Sequence, residues 1–128
     1  MPTFNHAFKN NLSPFSERVA MCEALGMDLG SWAKTCTIEE SLPSPSFSID
    51  SLRALQALHP EHQFRFVVGA DILPERHRWK EWSVIERDFC PIVVGRDGYE
   101  NPVDTIVFPE PTSPCRSLFI QTFIFMSV

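Results

Sequence analysis

Apolar positions follow two periods along this chain, one strand-like and one helical. The run Phe64 to Val68 is apolar except for Arg65 and stops on Gly69-Ala70-Asp71. A strand buried on both faces is nearly continuous in apolar residues, so this run predicts a strand inside a parallel sheet. Leu52, Leu55 and Leu58 predict a helix that starts near Ser48, carries Asp50 in its first turn and ends at Pro60. An earlier helix is predicted with Ser13 as N-cap and Pro14 at the first helical position. Its apolar face is Phe15, Val19, Cys22 and Leu25, and Gly26 is its expected C-cap. Trp32 to Ile38 predicts a strand with Trp32, Cys36 and Ile38 on one face, and the Pro- and Ser-rich stretch 41–48 predicts a loop. After the Phe64 strand come a polar stretch (74–80), a short helix (81–87) bearing Trp82 and Ile85, and a strand (91–94). A loop (95–102) and a short strand (105–108) follow, while residues 1–12 read as irregular.

Strands alternating with helices imply parallel pairing through crossover helices, hence an α/β doubly wound sheet. At 128 residues the chain is one domain or part of one, and 44% hydrophobic content is enough for a core. A net charge of −5 argues against a mainly electrostatic nucleic-acid surface. Cys22, Cys36, Cys90 and Cys115 show no CxxC spacing, so no metal or disulfide framework is expected and a cytoplasmic setting is the default. No basic-then-apolar leader stands at the amino terminus. The apolar stretch 117–128 is too short to span a bilayer and reads as a terminal strand or a sticky end.

Candidate chemistry centres on Asp71. It sits just past the carboxyl end of the predicted strand, where open α/β sheets bind nucleotides, and a carboxylate there can accept hydrogen bonds from ribose hydroxyls. Gly69 permits a tight turn or close approach of a ligand. The competing reading makes Asp71 a helix cap on an ordinary strand-to-helix turn.

Four segments in order resemble nicotinate-nucleotide adenylyltransferases, of the Rossmann-like nucleotidyltransferase superfamily. Pro45-Ser46-Phe47-Ser48-Ile49-Asp50-Ser51-Leu52 resembles the family's Pro-Ser-Tyr-Thr-x-Asp-Thr-Leu segment. Gly69-Ala70-Asp71 resembles its Gly-x-Asp turn, and Trp79 stands where the family carries a tryptophan. Val93-Val94-Gly95-Arg96-Asp97-Gly98-Tyr99 is similar to the strand and Arg-Pro-Gly-Tyr loop that follow. Thr112-Ser113-Pro114-Cys115-Arg116 is similar to the Ser-Thr-x-Ile-Arg phosphate motif, with Pro111 and Pro114 as departures.

The resemblance implies adenylyl transfer from ATP to nicotinate or nicotinamide mononucleotide, assisted by Mg²⁺, in NAD biosynthesis. By resemblance Phe47 and Ser48 contact the mononucleotide, Asp71 holds a ribose and Trp79 stacks on the pyridine ring. Helix N-cap is the plainer role for Ser48, and core packing beside Trp82 the plainer role for Trp79. Gly69, Arg96, Thr112, Ser113 and Arg116 fall on the ATP and phosphate side, the last three cradling phosphates at a helix N-terminus. His6 and Lys9 fall near a family segment that approaches the phosphates.

The family's His-x-Gly-His pair is absent: His6, His59, His62 and His77 form no such motif. No catalytic residue or metal ligand is therefore assigned. The expected fold is an incomplete Rossmann-like sheet lacking the first βα unit, with residues 1–116 a partial nucleotidyltransferase domain and 117–128 a divergent apolar tail. An exposed sheet edge in such a chain predicts self-association. Little or no transfer by the chain alone is expected. A non-catalytic nucleotide-binding or interaction module and a structural remnant are the alternatives.

Overall fold

The computed structural model describes residues 1–5, 11–95, 98, 99 and, for the backbone, 123–125. Its centre is β1 (Arg65–Gly69), flanked by β2 (Ile92–Val94) on one side and β3 (Phe123–Phe125) on the other. Both pairings are parallel, with Val67 opposite Ile92 and Phe66 opposite Ile124. The stretch 117–128 therefore contains a strand. The predicted strand at 105–108 lies outside the described residues.

β1 is central because its sequence tolerates burial on both sides. Phe64, Phe66 and Val68 share one face by the two-residue period and join the core, while Val67 is buried on the other face. Arg65 interrupts the run without breaking it. Its Nε donates to the Cys90 carbonyl at 2.9 Å, which satisfies a carbonyl just beyond α3 (Trp82–Phe89). Partial burial pushes the Arg65 pKa down from its ordinary value.

Two helices supply the other half of the core. α2 (Ser48–Leu58) contributes Ile49, Leu52 and Leu55, and α3 contributes Trp82, Ile85 and Phe89, each set a stripe at helical spacing. Phe66, Ile49 and Ile85 are entirely buried. Each such side chain stabilises the fold by about 1.5–3 kcal/mol relative to exposure.

Several expectations are corrected. α1 spans Phe15–Leu29, so it runs past Gly26 and ends at Gly30, whose φ of 91° is the left-handed conformation that glycine adopts without strain. Pro14 rather than Ser13 takes the cap position, and no side chain caps this helix. None of its apolar residues is buried; Leu25 is 57% exposed. Periodicity shows that a face is available, not that anything covers it. The helix is held near its start, by an edge-to-face contact of Phe15 with Phe4 and by Arg18 bonding the carbonyls of Thr3 and Ser13.

The stretch 32–38 forms no strand; it is irregular and leads into a 3₁₀ helix, Ile38–Ser41. Its apolar residues pack as single side chains, Cys36 and Ile38 against the core and Trp32 66% exposed. The polar stretch after Asp71 is a 3₁₀ helix, Ala70–Arg78, with Pro74 inside it. Cys90 is disulfide-bonded, against the expectation from spacing, while Cys22 and Cys36 are free. A disulfide requires proximity in space, which CxxC spacing does not report. Among the described residues no helix is long and apolar enough to cross a membrane.

Candidate functional site

The site lies where the carboxyl end of β1 meets the start of α2. Gly69 has φ −77° and ψ 152°, an extended conformation open to any residue, so a tight turn is not what the glycine provides. Asp71 falls in the first turn of the following 3₁₀ helix, whose cap position is taken by Gly69, so Asp71 is not the cap residue. The residue is half-buried and its Oδ1 is shielded from solvent.

The Pro45-Ser46-Phe47-Ser48 segment enters α2 in extended form after a cis Ser44–Pro45 bond. Phe47 is the cap residue, and its carbonyl accepts the N–H groups of Asp50 and Ser51 at 3.0 and 3.2 Å. Ser48 is the first helical residue, so the N-cap position expected of it belongs to Phe47.

The segment is held from below by a buried polar cluster. Glu39 and Ser51 are both fully buried. Ser51 Oγ donates to Glu39 Oε1 at 3.1 Å, and the Phe4 N–H donates to Glu39 Oε2 at 3.0 Å. Ser46 N–H donates to the Asn5 carbonyl at 2.9 Å. A buried carboxylate persists only when its lone pairs are occupied, and these bonds occupy both oxygens. The cluster fixes Ser46 and Phe47 at the mouth of the site.

Trp79 meets Phe66 edge-to-face at 5.8 Å and Trp82 at 5.7 Å. Half-buried, it combines a packing role with a partly solvent-facing indole. Lys80 follows it. The Lys80 ammonium lies 4.9 Å over the Phe47 ring and bonds Asp50 Oδ2 at 2.8 Å. One turn further along α2, Arg53 grips Glu81 through two bonds of 2.7 and 3.0 Å, which holds the Glu81 carboxyl below its ordinary value. These two pairs tie the start of α2 to the Trp79 segment. Exposed, solvent-screened pairs of this kind add little to stability, so their effect is chiefly positional.

Thus Phe47, Ile72, Leu73 and Trp79 all pack against one core, with Ser48 and Asp71 beside them in sequence. Arg96, Thr112, Ser113, Arg116, His6 and Lys9 lie outside the described residues. Gly98, in the loop with Tyr99, has φ 84°, as a glycine turn requires. Local pattern did not reveal Lys80 and Glu39 as site-building residues, because their partners stand 30 and 12 or more positions away.

No family model matches the chain. A probable nicotinate-nucleotide adenylyltransferase of Myxococcus xanthus is 36% identical over 102 residues, which cover 80% of this chain and 54% of the relative. The chain is a partial match to the nicotinate-nucleotide adenylyltransferase family. A probable nicotinate-nucleotide adenylyltransferase of Anaeromyxobacter sp. (strain K) is 37% identical over 102 residues, covering 77% and 54% respectively. One of Porphyromonas gingivalis is 43% identical over 63 residues, covering 49% and 32%. The chain thus spans about half the length of the first two of these adenylyltransferases. Its parallel α/β sheet is consistent with a partial Rossmann-like fold of that family.

Proposed function

We propose that this chain carries the pyridine-mononucleotide side of a nicotinate-nucleotide adenylyltransferase site. The observation that carries the reading is Gly69-Ala70-Asp71 at the carboxyl end of a central parallel strand, within a segment 36% identical to an adenylyltransferase. On this reading Phe47 and Ser48 border the mononucleotide, Asp71 accepts hydrogen bonds from a ribose, and the open part of Trp79 covers the electron-poor pyridine ring. Lys80 adds a cation beside the start of α2, where helix amides already favour a phosphate or carboxylate.

The reaction joins a phosphate oxygen of the mononucleotide to the α-phosphorus of ATP, and the bond to the leaving pyrophosphate breaks. Its needs are alignment and charge stabilisation. Gly69, Arg96, Thr112, Ser113 and Arg116 belong to the ATP side of this reading. Mg²⁺ in this reading is carried on the nucleotide phosphates, and no carboxylate of this chain is assigned to it. The reading includes a cytoplasmic setting, which the free thiols of Cys22 and Cys36 favour and the Cys90 disulfide does not.

Transfer by this chain alone is expected to be weak or absent, because its sequence holds no His-x-Gly-His pair. Loss of one oxyanion-type donor typically lowers a rate by about 10²–10³. Binding without transfer is thus the second reading, a non-catalytic module. Calorimetric titration with nicotinate mononucleotide, run beside Asp71→Asn and Trp79→Phe, tests both. Saturable binding weakened in both variants supports the site. Pyrophosphate release above a no-protein control, abolished in Asp71→Asn, would establish transfer. Absence of binding by folded protein would leave a structural remnant.

A further inference from the structure

At the opposite end of β1, three metal-ligating side chains converge on the turn that follows α2. His59 is the cap residue of α2, and Glu61 and His62 follow Pro60. One ligand atom from each of these residues lies within 4.8 Å of the others. His59 Nδ1 stands 3.6 Å from Glu61 Oε1, and His62 Nε2 stands 3.5 Å from the same oxygen. Metal–ligand bonds of 2.0–2.2 Å in tetrahedral array put neighbouring ligands roughly 3.3–3.5 Å apart. Two of the three edges are therefore close to the required length, and the third is no longer than 4.8 Å.

The turn is also held in shape without a metal. Gln56 Nε2 donates to the carbonyls of His62 at 2.7 Å and His59 at 3.4 Å. The His62 N–H donates to the His59 carbonyl at 3.0 Å, and the His59 N–H to the Leu55 carbonyl at 2.9 Å. Buried Phe64 backs both imidazoles, at 6.3 and 6.4 Å between ring centres. The three side chains keep 38–61% exposure, so an ion reaches them from solvent.

We propose that His59, Glu61 and His62 form a zinc site that staples the end of α2 to the start of β1. Two imidazoles and one carboxylate suit a borderline ion such as Zn²⁺, whereas Mg²⁺ and Ca²⁺ take oxygen ligands. Three protein ligands leave a fourth position for solvent. The site uses no residue assigned to nucleotide binding, so its test is independent of that reading.

The test is titration of metal-free protein with Zn²⁺ by calorimetry, with Co²⁺ absorption as a geometric probe. One Zn²⁺ per chain is expected, with tetrahedral Co²⁺ bands and a zinc-dependent rise in Tm. His59→Ala and His62→Ala should each weaken binding by at least about tenfold, since disturbing even the groups behind a metal ligand costs about 10–100-fold. Cys22→Ser should change nothing. Glu61→Gln, on an exposed turn, provides a folded variant if a histidine substitution disturbs the turn, and it should also weaken binding. Selective zinc-induced shifts of the His59 and His62 ring resonances in the unsubstituted protein would support the same site. No binding, or unchanged binding in Glu61→Gln and both histidine variants, would overturn the proposal.

Discussion

Replacing Trp79 by alanine is the substitution that most directly separates packing from ligand contact. The indole makes two edge-to-face contacts, with Phe66 and with Trp82. Such pairs contribute about 0.5–1.5 kcal/mol each beyond area burial. Truncating a core tryptophan to alanine costs about 3–5 kcal/mol in all. Trp79 is half-buried, so the lower end applies, and we expect a loss of about 3 kcal/mol. Urea unfolding followed by far-ultraviolet circular dichroism would read this as a midpoint lowered by about 1–3 M at unchanged slope, taking a slope of about 1–3 kcal/mol per molar. Trp79→Phe retains an aromatic surface and should lose less than half as much. A loss below about 0.5 kcal/mol for the alanine variant, typical of surface positions, would refute the packing geometry. The measurement also governs any binding experiment, because an alanine variant that fails to bind mononucleotide is informative only if it is still folded.

Glu39→Ala removes the acceptor of the Ser51 hydroxyl and the Phe4 N–H; bonds to a charged group are worth about 1.5–3 kcal/mol each, so denaturation should show a loss of about 3–6 kcal/mol, smaller for Glu39→Gln. Unchanged stability in Glu39→Ala would remove the cluster as the support of Ser46 and Phe47. The Glu81 carboxyl is held below its ordinary 4.5 by the Arg53 hydrogen bond, so the unfolded chain binds more protons on the acid side. Its stabilising contribution is present above that ordinary value and disappears as pH falls through the depressed folded value. Glu81→Gln should flatten this part of a stability–pH profile, and salt should weaken the effect. Thiol labelling read by peptide mass spectrometry should modify Cys22 and Cys36 in folded protein and Cys90 only after reduction.

Local pattern identified the elements that build the core. Leu52 and Leu55 lie on the buried face of α2, and the Phe64–Val68 run became the central strand. Both signals are strong because burial selects apolar residues at a fixed period. The stretch 32–38 shows the limit of that logic: Trp32, Cys36 and Ile38 alternate loosely, yet no neighbouring strand pairs with them. Strand formation depends on a partner, which a single segment does not encode. The same holds at the site. Ser48 and Trp79 are legible as motif residues, but the tie of Lys80 to Asp50 spans 30 positions. Glu39 is not legible in the sequence because glutamate is ordinarily exposed, and its burial follows only from donors that folding brings to it.

The parallel pairing of Arg65 with Phe123 has a consequence for synthesis. About 60 positions separate the two partners, and a ribosome adding about 5–20 residues per second needs about 3–12 s to cross that distance. For that interval β1 has emerged while one of its two hydrogen-bonding edges has no strand to receive it. Long-range parallel pairing also forms slowly once its partner arrives, because loop closure precedes any gain from contact. The nascent chain therefore passes through a window in which its central strand is open to other chains. Its yield in a cell should respond to chaperones that shield such edges, and to lower temperature during expression.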